Sequence, residues 1–131
     1  MINALKAMNI KKVAVATPYI NELDEKERFF LEESIPGLKV TKIQGLGILS
    51  SFEKGNLEPI SAYRAAREVD SAEAEAVFIS CTAWRTFEII QTLERDIGKP
   101  IITSNQATLW AALKVLGVSG LSGYGRLLER F

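Results

Sequence analysis

A chain of 131 residues, 47% hydrophobic and 24% charged, holds enough apolar material for one domain with a real core and too little for two. Sixteen basic side chains balance sixteen acidic ones with both signs scattered, which excludes the basic stripe that neutralises nucleic-acid phosphates. With no histidine and one cysteine, Cys81, there is no Ser-His-Asp triad, no Cys-His pair, no internal disulfide and no ordinary zinc site. Whatever chemistry occurs must use Cys, Tyr, Ser, Thr, Lys or carboxylates. Apolar runs are only a few residues long, and the N-terminal segment over 1–8 is too short and too polar for a signal peptide, so a cytoplasmic location is expected.

In chain order, residues 12–17 read as a short buried strand closed by Pro18, with Asn21 or Asp24 placed to cap the next helix. That helix carries Leu23, Glu27, Phe30, Leu31 and Ile35 at helical spacing and stops at Pro36-Gly37. A second strand follows over 38–46. Residues 45–56, rich in Gly, Ser, Lys and Asn, read as the longest loop. An Ala-rich helix over 58–69 has Pro59 in its first turn. The third strand is 76–80 and the third helix about 84–97, with Trp84, Phe87, Ile90, Leu93 and Ile97 on one side and Gly98 ending it. A fourth strand over 100–103 leads into a helix over 106–116.

Strands that alternate with helices and are apolar throughout imply a parallel sheet covered on both faces. Right-handed crossovers leave few arrangements for four such strands, and the commonest doubly wound order is 2-1-3-4. The expected fold is therefore a single α/β domain over 1–131, flavodoxin-like or Rossmann-like. In that order strands one and three are neighbours, about 4.8 Å apart, and their connections leave in opposite directions. Thr17-Pro18-Tyr19 and Ser80-Cys81-Thr82 then converge on one crevice at the carboxyl ends of the strands.

Each of these residues has two readings. A cysteine ending an apolar strand serves as a small buried hydrophobe or as a reactive thiol, whose acidity the free N–H groups of Thr82, Ala83 and Trp84 at a helix start would increase. Tyr19 is either core packing or a substrate contact. Thr17 and Thr82 are either strand-end and capping hydroxyls or ligands. Arg85, in the first turn of the expected helix, faces an anion or solvent. Gly45-Leu46-Gly47 and Gly123-Tyr124-Gly125 lack the third glycine and the Lys-Ser/Thr of nucleotide loops and read as turns.

Taken together, Val15-Ala16-Thr17-Pro18-Tyr19, Ile79-Ser80-Cys81-Thr82 with Arg85-Thr86, Gly98-Lys99-Pro100, Ser104-Asn105-Gln106-Ala107-Thr108-Leu109-Trp110 and Gly123-Tyr124-Gly125-Arg126-Leu127 carry a resemblance. They resemble, in order and over nearly the whole chain, the second half of the maleate isomerase and arylmalonate decarboxylase branch of the aspartate/glutamate racemase superfamily. Members of that branch have two similar α/β halves with the active site between them. The resemblance implies a leading helix over 2–9, cofactor-free and metal-free chemistry on a small carboxylic acid, and Cys81 as a proton donor or acceptor. It implies that Tyr19 binds a substrate carboxylate, with Thr17, Thr82 and the N–H groups of Cys81 and Thr82 around it. The chemistry would be isomerisation, racemisation or decarboxylation through an enediolate-type or covalent intermediate.

The chain also departs from the branch. Where the isomerases have a substrate-holding asparagine after the second strand, this chain has Ile48-Leu49-Ser50-Ser51, and Thr82-Ala83-Trp84 replaces the glycine-rich turn of the decarboxylases. The resemblance implies a partner for the missing half, either a first-half domain or a second copy of this chain. The alternative is a non-catalytic half-enzyme or assembly module.

Overall fold

A computed structural model describes residues 1–131. Its element order is α1 (Ile2–Ala7), β1 (Lys12–Thr17), α2 (Asn21–Ser34), β2 (Lys39–Gly45), α3 (Ser51–Gly55), α4 (Pro59–Val69), β3 (Ala76–Ile79), α5 (Ile90–Ile97), β4 (Ile101–Thr103), α6 (Ser104–Val115) and α7 (Arg126–Arg130). The four strands are parallel in the order β2-β1-β3-β4, as the alternation of strands and helices predicts.

Period-two alternation along the strands divides the core into two layers. Val13, Val15 and Phe78 face α1, α2, α6 and α7, where Leu5, Leu31, Trp110 and Leu127 cover them. Ala14, Ala16, Val77 and Ile79 face the opposite layer of Ala62, Ala66, Leu93 and Trp84. Small residues on β1 let the Ala-rich α4 approach that face closely. Gly98 ends α5 at φ 78°, a left-handed conformation suited to glycine. Thr103 caps α6 in a reciprocal capping box with Gln106. No helix is long and apolar enough to cross a membrane.

Several local expectations are corrected. Neither Asn21 nor Asp24 caps α2, whose N-cap is Ile20 with no side-chain bond. The inward face of that helix carries Asp24, Glu27 and Leu31, at spacings of three and four, while Leu23 and Phe30 are exposed. Residues 45–56 are not all loop: Ser50 caps α3 by accepting a bond from the Glu53 N–H. The third helix does not start at Trp84. Residues 81–86 form an irregular turn, a 3-10 turn follows at Phe87–Ile89, and regular helix starts only at Ile90. Gly123-Tyr124-Gly125 is a turn, as read, and leads into α7, whose Leu127 and Leu128 are buried in the core.

Candidate active site

The expected crevice forms because β1 and β3 are adjacent in register. Ala16 lies opposite Ile79, and the Ser80 N–H donates to the Ala16 carbonyl at 2.9 Å, which sets Thr17 and Ser80-Cys81 side by side. On the other flank Thr17 pairs with Gly45. Beyond that pair, the N–H groups of Leu46, Gly47 and Ile48 donate to the carbonyls of Thr17, Tyr19 and Pro18. The turn carrying Tyr19 is thus held by backbone on one side.

Thr17 is fully buried. Its hydroxyl donates to Asp24 in a short bond and accepts the Tyr19 N–H at 3.0 Å, so it has no proton left for an external ligand. In this structure both of its bonds support the Tyr19 turn. The Gly45 backbone also favours the ionised form of Asp24, against the rise that burial causes. A Cβ at Gly45 would collide with the Tyr19 carbonyl and the Thr17–Asp24 pair, so this position requires glycine for close approach rather than for φ.

Cys81 follows β3 with a φ of 96°, one of two non-glycine residues in the chain with positive φ. Such a conformation costs about 1–3 kcal/mol and persists only where the surroundings impose it. Here the imposing contacts can be named. The Cys81 N–H donates to Ser104 Oγ at 3.2 Å, the Asn105 amide donates to the Trp84 carbonyl at 2.9 Å, and the Trp84 indole N–H donates to Ser61 Oγ at 3.0 Å. The turn is pinned to α4 and α6, leaving the sulfur nearly buried at 9% exposure for the residue. Because no helix starts here, the expected support of the thiolate by a helix N-terminus is absent. The N–H groups of Thr82 and Ala83 nevertheless make no bond within the chain and are exposed. They are available to an anion as turn donors.

Tyr19 is half-buried, with Ser80 and Cys81 as neighbours. Burial pushes its acidity out to about 12; the Ser80 bond acts in the opposite direction, and the Cys81 thiol adds to the rise. Tyr19 is therefore a neutral phenol with a proton to donate at physiological pH. Lys54, from α3, places its ammonium 5.1 Å from the centre of the Tyr19 ring and donates to the Leu49 carbonyl at 3.1 Å. It is buried and has no carboxylate partner.

Glu27 lies half-buried on α2; burial raises its pKa, the neighbouring Ser80 opposes the rise and Asp24 adds to it. Ser80, Glu27 and Lys54 are site residues that the sequence reading passed over. The available signal was two carboxylates three residues apart on the core side of a helix beginning just after Tyr19. Arg85 is not part of the site. It pairs with Glu88 at 2.9 Å on the surface.

The arrangement can hold a carboxylate between a neutral phenol and free turn N–H groups, with a thiol alongside to give or take a proton. Comparison with known proteins agrees in fold and extent. The arylmalonate decarboxylase family profile matches residues 1–128. The chain is 30% identical over 136 residues to arylmalonate decarboxylase of Bordetella bronchiseptica, covering 98% of this chain and 55% of that protein. It is 29% identical over 132 residues to maleate isomerase of Nocardia farcinica, covering 99% and 52% respectively. Among solved structures it is similar to a mutant of the Nocardia farcinica maleate cis-trans isomerase with a covalently bound succinylcysteine intermediate. The TM-score is 0.91 at 26% identity, over 99% of this chain and 53% of that one. The chain spans about half the length of the curated relatives it matches. With the profile matched over nearly its whole length, the chain belongs to the arylmalonate decarboxylase family.

Proposed function

We propose that this domain is the second, cysteine-bearing half of a cofactor-independent enzyme that isomerises, racemises or decarboxylates a small carboxylic acid. The observation that carries the reading is Cys81 at positive φ with Tyr19 as its neighbour, on a fold shared with maleate isomerase. In this reading the Tyr19 hydroxyl and the N–H groups of Thr82 and Ala83 bind the carboxylate and stabilise the enediolate that forms when a bond at its α-carbon breaks. Cys81 then gives or takes the proton, or bonds to the substrate. Thr17 and Asp24 hold the Tyr19 turn. Ser50, spent as the cap of α3, is a poor substitute for a substrate-holding amide, whereas Lys54 supplies a cation near the same edge.

One half leaves the crevice open to water, which weakens every donor in it. The partner is a first-half domain or a second copy. Leu23, Phe29 and Phe30 on α2, with Leu49 and Phe52 around α3, are exposed and supply apolar surface for such a partner. The test is the pH dependence of Cys81 alkylation with and without maleate, malonate or aspartate. Protection by one of these acids is expected. A thiol that reacts only on unfolding would sink the proposal.

A further inference from the structure

Of the sixteen lysines and arginines in the chain, Lys54 alone is buried, at 7% exposure. Its ammonium is also without an anion, since the ion pairs of the molecule are all made by other residues. In place of a carboxylate it has the Leu49 carbonyl at 3.1 Å and the Tyr19 ring, whose centre is 5.1 Å away. An ammonium owns three N–H donors, and these two contacts leave at least one of them without a protein acceptor. A buried charge is costly until an opposite charge meets it.

The backbone fixes where this ammonium stands. The Gly47 N–H donates to the Tyr19 carbonyl at 2.8 Å and the Ile48 N–H to the Pro18 carbonyl at 3.0 Å, which fastens the segment after β2 to the Tyr19 turn. Ser50 then caps α3, and the Lys54 N–H donates to the Ser50 carbonyl at 3.1 Å. The short helix therefore hangs from the same turn that carries Tyr19, and Lys54 reaches back to the Tyr19 ring. That ring in turn packs against the buried cluster that contains Cys81 and Trp84. A ligand carboxylate bound at Tyr19 thus has the Lys54 ammonium close to it, and a second acid group on the same small molecule can reach that ammonium. We propose that Lys54 is the specificity-determining residue of the crevice, binding the second carboxylate of a dicarboxylic acid whose first carboxylate is held by Tyr19 and the N–H groups of Thr82 and Ala83. The ligand brings a counter-ion to a cation that lacks one, so an uncharged group of the same shape gains nothing there. The inference deepens the carboxylate-site reading and rests on it.

The test pairs malonate with its monoamide and maleate with its monoamide, ligands of nearly equal shape that differ by one charge, at a pH where both acids are fully ionised. Affinities are read from the concentration dependence of Cys81 protection against alkylation in wild type, Lys54→Gln and Lys54→Met. Glutamine keeps an N–H for the Leu49 carbonyl without the charge, and methionine keeps only the apolar stem. In the wild type, at least one of the acids should bind about tenfold more tightly than its monoamide, the effect of one charge-assisted hydrogen bond. Both variants should abolish that preference and bind the monoamide as the wild type does. A preference lost in Lys54→Met but kept in Lys54→Gln would show that Lys54 acts by holding Leu49, and overturns the proposal. So does a preference absent from the wild type or equal in all three proteins, and so does a fall in monoamide affinity as large as that of the acid. In each of those cases the wild-type thiol is still protected and the carboxylate-site reading stands. If neither the acids nor the amides protect Cys81 in the wild type, that reading fails, and the assignment of Lys54 fails with it.

Discussion

Two carboxylates, buried Glu94 and half-buried Glu27, have opposite surroundings. Glu94 on α5 accepts the Ile101 N–H at 3.0 Å and the Arg126 N–H at 3.0 and 3.2 Å, with the Arg126 guanidinium 3.9 Å away. It ties the starts of β4 and α7 to α5. Glu27 at the β1/β3 crevice has a serine hydroxyl and no cation. Burial raises the pKa of both, but only Glu94 receives backbone N–H groups and a positive charge that favour its ionised form. A carboxylate surrounded by fixed donors is a brace. One with neither an ion-pair partner nor fixed backbone donors braces nothing.

The largest expected effect breaks the brace. Glu94→Leu orphans the buried Ile101 N–H and the part-buried Arg126 N–H and should cost about 3 kcal/mol in urea unfolding. Glu27→Gln should do the reverse at neutral pH and raise stability. The sign follows from linkage. A carboxyl whose folded-state pKa is raised stabilises the fold while protonated, at pH below the ordinary carboxylate range, and that contribution is lost as pH rises through the raised value. The advantage of Glu27→Gln should therefore fade in acid. A Glu27→Gln protein less stable than wild type at neutral pH would make Glu27 a brace too.

A smaller effect separates backbone strain from side-chain chemistry at Cys81. Both Cys81→Gly and Cys81→Ala remove the thiol, but only glycine is at ease at φ 96°. The glycine variant should be the more stable by about 1 kcal/mol in the same unfolding assay. Both should lose reaction with alkylating agents. Equal stabilities would show the turn relaxing without strain. Smallest of all is Arg85→Ala, which removes a surface pair with Glu88 and should leave both stability and maleate protection of Cys81 unchanged within measurement. A loss of protection would return Arg85 to the site.

The strands and their order were legible in the sequence because apolar runs separated by helices admit few right-handed arrangements, and adjacency of β1 and β3 follows from the order. Cys81 and Tyr19 were legible for the same reason, as strand-end residues. The start of α5 was not. Trp84 and Phe87 continue the apolar spacing of Ile90 and Leu93, but Trp84 is buried because its turn is bonded to Ser61 and Asn105, residues far away in the chain. The inward face of α2 was misread in part: Leu31 and Ile35 are core as the spacing predicts, but Leu23 and Phe30 are exposed, and Asp24 is drawn inward as the partner of Thr17.

Local pattern determined which segments became strands and helices, since side-chain period and turn residues act over a few neighbours. Only the tertiary structure decided the polar contacts of the site. Thr17 was bonded to Asp24 and the Tyr19 N–H, the Cys81 N–H was tied to Ser104, and Cys81 was bent to positive φ. Each of these depends on a hydrogen bond to another element, and the geometry of such a bond exists only once the elements have packed.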